Sequence, residues 1–270
     1  MQPKAGYLME NSEEAIRLEV KTDPGKVREE ASWCGIRPGQ AVLDAGCGPG
    51  KTSQILHDMV QPGGSVLGVD YSPERVAYAE RHYRREETLR FELHDLRDFP
   101  DRYSGRFDLV WARFVLEYNR VEGRAIVRNL KECLKPGGTL CLIDLDHNCL
   151  GHFELPAGMQ EVMEAVMRRV DEEFNFDTYA GRRLYAHLYD AEFEDIGVEV
   201  RAHHLIYGKV RDEELFNWTK KMEVAARRLP GMFGGYPGGA AAFDRDFRAF
   251  FQDPRRFTYT PVVMAKGRRP

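Results

Sequence analysis

Residues 41–50, Ala-Val-Leu-Asp-Ala-Gly-Cys-Gly-Pro-Gly, constrain this chain more than any other stretch. A short apolar run, Ala41 to Leu43, meets an acid and then three glycines at alternate positions, the pattern of a buried strand turning sharply into a helix. Glycines at 46, 48 and 50 let a ligand approach the backbone, and a helix starting near Lys51 turns its free N–H groups toward whatever lies there. The loop predicts a ligand cradle. A dinucleotide fingerprint starting at Gly46 would require glycine at position 51, where the chain has Lys51, so that reading fails on spacing. Gly50-Lys51-Thr52 comes closer to a phosphate-binding loop, with Ala45 replacing the leading glycine. Against it, Pro49 lacks an N–H where successive amides should wrap a phosphate, and Asp44 adds a negative charge. An acid beside a glycine loop suits a ligand that carries positive charge.

Downstream, strand and helix patterns alternate. Thr52 to Val60 continues the helix, Pro62-Gly63-Gly64 stops it, and Ser65 to Val69 reads as a second buried strand leading into Asp70-Tyr71-Ser72-Pro73. Ser72 then caps a helix over Pro73 to Arg85. Leu89 to Leu93 is a third strand, followed by His94-Asp95-Leu96, and Phe107 to Trp111 a fourth, running into Ala112 to Tyr118. Val121 to Leu134 is amphipathic, Lys135-Pro136-Gly137-Gly138 reverses the chain, and Thr139 to Leu145 is the fifth strand. This order predicts parallel βαβ units. The carboxylate of Asp70, at a strand end, can accept both hydroxyl hydrogens of a ribose. Tyr71 offers a ring for stacking on adenine, or stands as a surface tyrosine.

Val42 to Gly50 resembles the first motif of the class I S-adenosylmethionine-dependent methyltransferases, whose ligand carries an ammonium and a sulfonium. Asp70, the His94-Asp95-Leu96 turn and Leu134-Lys135-Pro136-Gly137-Gly138 follow in the family's order, so the resemblance covers residues 40–146. It implies an α/β fold, Rossmann-like and doubly wound, with a mostly parallel seven-stranded sheet and a helical lid on the substrate side. It also implies S-adenosyl-L-methionine as cofactor, held by Asp44, Gly46, Cys47, Gly48, Gly50, Asp70 and Tyr71. In the same family pattern Asp95 accepts from the adenine amino group and Leu96 donates from its backbone. Arg113 bonds the cofactor carboxylate or forms only a salt bridge, and both roles stay open. Members acting on base amines or glutamine carry an N-P-P-Y-like turn where this chain has Ala112-Arg113-Phe114, so methylation of DNA bases and glutamine is disfavoured. The stretch is similar to that of quinone-biosynthesis and other small-molecule members. Tyr118 and His147 are expected at the substrate. His147, Glu117 and Tyr118 are candidates for a general base, and none is assigned as catalytic.

The remaining composition narrows the setting. A chain of 270 residues, 43% hydrophobic and 30% charged, holds one large domain or one domain with a substantial insertion. A net charge of -4 supplies no global field for nucleic acid or anionic membrane. Five cysteines without a C-x-x-C pair read as reduced, and Met1 to Glu10 has no signal-peptide core. No run approaches roughly 18 apolar residues, so a cytoplasmic protein with no membrane span is expected. Cys141, His147, Cys149 and His152 lack zinc-site spacing, and no metal is expected.

The organisation expected is an N-terminal helical cap over 1–39, a cofactor-binding core over 40–150, and last strands with helical insertions forming a substrate lid over 151–270. In the cap a helix opens at Ser12, and Tyr7, Arg17 or Lys21 reaches the ligand or the helix merely covers a sheet edge. In the last part Met159, Val162, Met163, Val166, Met167, Val170 and Phe174 mark one helix face. Helices over Arg182 to Phe193 and 211–229, strands over Val198 to Tyr207 and Phe257 to Ala265, and a flexible loop with aromatic anchors over Gly231 to Gly239 complete it. The functional expectation is methyl transfer to a small aromatic or hydrophobic acceptor, with no DNA partner and a homo-oligomer left open. Arg168, Arg169, Arg182 and Arg183 keep an RNA or protein substrate open, and Lys51 and Thr52 keep a nucleotide-binding P-loop protein open.

Overall fold

Strand β1 (Ala41–Ala45) lies inside an eight-stranded sheet because its side chains are apolar on both faces, and Val42, Leu43 and Ala45 are fully buried. The structure, a computed structural model, describes residues 18–19, 22–98, 101–156 and 158–270. Helix α1 (Pro24–Cys34) precedes β1. The carboxylate of Asp23 caps it by accepting from the amides of Gly25 and Lys26, and Gly35, with φ of 95°, closes it. The core then alternates α2 (Lys51–Val60), β2 (Ser65–Asp70), α3 (Pro73–Tyr83), β3 (Leu89–Leu93), β4 (Phe107–Arg113), α4 (Gly123–Cys133) and β5 (Leu134–Leu145). After it come β6 (His152–Phe153), α5 (Met159–Glu173), α6 (Ala180–Asp190), β7 (Glu194–Tyr207), α7 (Asp212–Arg228), α8 (Gly239–Gln252) and β8 (Phe257–Arg268).

Strands β1 to β5 run parallel in the order β3-β2-β1-β4-β5, and β8 lies antiparallel to β5, β6 and β7. The doubly wound, mostly parallel expectation holds, with eight strands among the described residues in place of seven. The additional strand is β6, two residues that continue along β8 past the end of β5. Alternate strand residues feed two cores. Leu43, Leu67 and Val110 pack with Ile126 and Leu130 of α4 and Leu184 and Leu188 of α6, whereas Val42, Val66 and Trp111 pack with α1, α2 and α3. A third core joins α5, α7 and α8 through Met159, Val166, Trp218, Met222, Phe243, Phe247 and Phe251.

Of the helix expected from Ser12, Leu18 and Glu19 are helical, and Tyr7, Arg17 and Lys21 lie outside the described residues. Helices α1 and α8 are additions to the sequence reading. The segment Gly231 to Gly239 keeps its aromatic anchors and adds local structure. It contains a 3-10 turn at Pro230–Phe233, buries Phe233 and Tyr236, and donates the Tyr236 hydroxyl to Asp246 Oδ2 at 3.1 Å. Among the described residues no helix is long and apolar enough to cross a membrane.

Candidate functional site

Parallel pairing sets the carboxyl ends of β1, β2 and β3 side by side, and the loop after β1 folds onto the end of β2. The amides of Gly46 and Cys47 both donate to the Val69 carbonyl, at 2.8 and 2.9 Å. Glycine is needed there for two reasons. At Gly46 (φ 80°) a Cβ would stand 2.6 Å from Val115 Cγ2, and at Gly50 (φ 94°) 2.8 Å from Ala79 Cβ, so both serve close packing. At Gly48 (φ 54°) a Cβ would stand 3.7 Å from Leu18 Cδ1, an ordinary contact, so there glycine serves the left-handed backbone rather than close packing.

Acids frame that loop. Asp44 is buried on β1 and accepts from Ser53 Oγ of α2 at 2.6 Å. Burial, with a smaller push from Asp70, raises its carboxyl to about 7, and the Ser53 hydrogen bond and Arg113 only partly offset this. Asp70 Oδ2 accepts from the Gly48 amide at 3.0 Å. Its Oδ1 accepts from the Ser72 amide at 2.9 Å and from Arg75 Nε and Nη2 at 3.1 and 3.0 Å. The Arg75 guanidinium also lies 5.0 Å from the centre of the half-exposed Tyr71 ring. The Cys47 thiol, buried beside two acids, is pushed well above its usual range and is a poor nucleophile.

On the next strand the His94 amide donates to the Asp70 carbonyl at 2.9 Å, which ties the Asp95 turn to the same edge. Arg97 grips the Asp95 carboxylate in a fork, Nε at 2.8 Å from Oδ1 and Nη2 at 2.5 Å from Oδ2. Leu96 is buried, and its carbonyl accepts from Asn129 Nδ2 at 3.0 Å. Lys51 Nζ lies 3.0 Å from Glu19 Oε1, an oxygen that also accepts from the Tyr83 hydroxyl. Its charge is therefore spent on a carboxylate.

The other half of the edge forms after β4 and β5. Arg113 Nε donates to Glu30 Oε2 of α1 at 2.7 Å with both side chains largely buried, so the salt-bridge alternative is present. The turn at Leu116 is held by Asp144, which accepts from the amides of Leu116 and Glu117 at 3.1 and 3.3 Å. Burial and the nearby Glu117 push the Asp144 carboxyl well above its ordinary range. Glu117 is buried as well and accepts from Asn148 Nδ2 at 3.2 Å. The Tyr118 ring meets Phe176 edge to face at 5.3 Å, and His147 (φ 53°) stacks on Tyr179 at 5.8 Å.

Asp44, the glycine loop, Asp70, Tyr71, Asp95 and Leu96 thus share one edge, while Tyr118 and His147 stand toward α5 and α6. Ser53, Arg75, Arg97, Glu30 and Asp144 are additions to the sequence reading. Asp144 alone carries a visible signal, an acid inside an apolar strand. Among the described residues no group of three or more His, Cys, Asp or Glu is placed to hold a metal ion.

Residues 42–138 match a family described as methyltransferase domain. The chain is 30% identical over 181 residues to the juvenile hormone acid O-methyltransferase of Drosophila melanogaster, covering 63% of this chain and 60% of that protein. It is 30% identical over 171 residues to the 2-methyl-6-phytyl-1,4-hydroquinone methyltransferase of a Synechocystis strain, covering 61% of this chain and 50% of that protein. It therefore spans less than two thirds of the length of either relative. Phosphoethanolamine N-methyltransferase 2 of Haemonchus contortus, solved with S-adenosyl-L-methionine, shares the fold with a TM-score of 0.55 at 19% identity. That match covers 91% of this chain and 52% of the other.

Proposed function

We infer, from the premise that the core of this chain belongs to the S-adenosylmethionine-dependent methyltransferases, that it transfers a methyl group to a small hydrophobic or aromatic acceptor. The observation that carries the reading is the meeting of Asp70 Oδ2 with the Gly48 amide at 3.0 Å beside buried Asp44. The donor set fits the cofactor. The carboxylates of Asp44 and Asp70 flank the loop, and Lys51 and Arg75 beside it are each paired with a carboxylate. Asp70 takes the ribose hydroxyls, Asp44 favours the cationic end, and Asp95 with the Leu96 amide takes the adenine edge.

When bound, the cofactor supplies a methyl group on a positively charged sulfur that leaves as a neutral thioether. The protein's share is placement, and holding a nucleophile in line supplies much of such an acceleration. Asp144 fixes the turn from Leu116 to Tyr118, and the rings of Tyr118, Phe176, His147 and Tyr179 give the acceptor side an aromatic wall. Residues 151–270 complete that wall as a lid, because Tyr118 and Leu150 pack against the core formed by α5, α7 and α8.

Paired arginines support a small acceptor over RNA or protein. Arg168 lies 3.9 Å from Glu164, Arg182 2.8 Å from Asp146 and Arg183 2.7 Å from Asp177, and Arg169 pairs with Glu173. A polyanion would have to displace these acids. Calorimetric titration with S-adenosylmethionine tests the premise: the wild type binds it saturably and Asp70→Ala loses it. A labelled methyl donor offered with quinols, phenols, carboxylic acids, RNA and peptides then tests the acceptor class. Label entering only RNA or peptides would refute the small-molecule reading.

A further inference from the structure

We propose that two copies of this chain join along the outer edge of β7, strand to strand and antiparallel, about a two-fold axis through Val200. Among the described residues β7 pairs on one side only, with β8, leaving its other side as a row of backbone donors and acceptors. Irregularities interrupt its ladder between Glu194 and Gly197 and between Ala202 and His204, and Lys26 Nζ occupies the His203 carbonyl at 3.0 Å. Between them Gly197 to Ala202 keeps unbroken register with Lys266 to Pro261. This is the open part of the edge.

The two faces of that segment differ. Val198 and Val200, on the face shared with Ala265 and Val263, are 48% and 56% exposed, and the same face continues through exposed Leu205, Tyr207 and Phe257. The other face carries Glu199 and Arg201, with Oε1 and Nε 2.5 Å apart. A two-fold axis normal to a sheet brings residues of the same face opposite one another, so it must pass through a residue. Through Val200 it sets Val200 against its own copy, Val198 against Ala202, and Glu199 against Arg201. Two acids and two arginines then close an alternating ring. Moved by one residue either way, the axis sets Glu199 against Glu199 or Arg201 against Arg201, and like charges directly opposite destabilise a sheet. Charge complementarity therefore selects a second copy as occupant, and selects its register.

Sedimentation equilibrium of the full chain tests this. The wild type is expected to dimerise, Glu199→Arg and Arg201→Glu each to weaken dimerisation at least tenfold, and the two combined to restore it. Because paired strand residues lie about 4.5–5.5 Å apart at Cα, within disulfide reach, Val200→Cys should give a covalent dimer under mild oxidation and Val198→Cys should not. The five native cysteines are buried and leave this readout clear. A wild type that stays monomeric through the micromolar range overturns the proposal. So does a dimer that neither charge reversal weakens, or one that crosslinks through Val198→Cys and not Val200→Cys.

Discussion

Arg75 and Asp70 form a buried ion pair in which Nε and Nη2 both reach one carboxylate oxygen, at 3.1 and 3.0 Å, while the other oxygen meets the Gly48 amide. The guanidinium fixes the carboxylate in rotation and directs one oxygen at the loop. Removing one partner of a buried pair strands the other's charge, so Arg75→Met should cost about 3–5 kcal/mol. Adding Asp70→Asn to it should recover part of that loss. Urea denaturation of the two single variants and the double variant measures the coupling, and strictly additive losses would show that the pair is not a unit.

Asp70→Asn alone should weaken S-adenosylmethionine by at least about 100-fold, because it removes charge-assisted acceptance of two hydroxyls worth on the order of 1.5–3 kcal/mol each. Titration calorimetry gives the number. Undiminished affinity would remove Asp70 from the ribose.

Asp44 makes stability and binding respond to pH in opposite senses. Its carboxyl stands at about 7, above the ordinary 3.8, so the folded chain holds this proton more tightly than the unfolded chain. The stabilisation is complete below about pH 4 and is lost as pH rises through about 7. Asp44→Asn, which mimics the protonated form, should be more stable than wild type by on the order of 1–4 kcal/mol at about pH 8, with the gap closing toward pH 4. A cationic ligand favours the ionised carboxylate. Wild-type affinity for S-adenosylmethionine should therefore climb between about pH 6 and 8, and Asp44→Asn should flatten that climb. Thermal melts and calorimetry across this range read both effects.

Loop glycines separate strain from collision. Gly39→Ala places a Cβ in open space at φ 85°, and a left-handed backbone alone costs about 1–2 kcal/mol. Gly46→Ala has similar strain and adds a Cβ 2.6 Å from Val115 Cγ2, so overpacking should add about 1–3 kcal/mol. It should also displace the turn that carries Leu116 and Tyr118. Denaturation midpoints of the two variants give the comparison, and equal losses would place the cost in the backbone alone.

Strands β1, β2 and β5 and the acids at or just after their ends are legible in the sequence because each carries an apolar run next to Gly, Pro or Asp, a local signal, whereas β3 and β4 are legible from apolar residues between polar turns. Arg75, Arg97 and Glu30 are not, because their partners are chosen by the sheet and by the placing of α1. Helix α1 does carry a local signal, Asp23 before Pro24 with Val27, Ala31 and Cys34 at helical spacing, but its apolar face is too sparse to stand out. Glycines at 231–239 argue for mobility when weighed by composition. Phe233 and Tyr236, bound into the third core, decide otherwise, and Phe243, Phe247, Phe250 and Phe251 carry the helix onward.

Strand β8, which follows all of its neighbours in sequence, is the partner of β5, β6 and β7 at once. A ribosome carrying this chain thus holds a half-built sheet until residues 257–268 emerge. Until then the backbone hydrogen-bonding groups that β7 turns toward β8 lack their native partner, and that strand is open to passing chains. Growth from the first strand can proceed early, but closure of the sheet waits for β8.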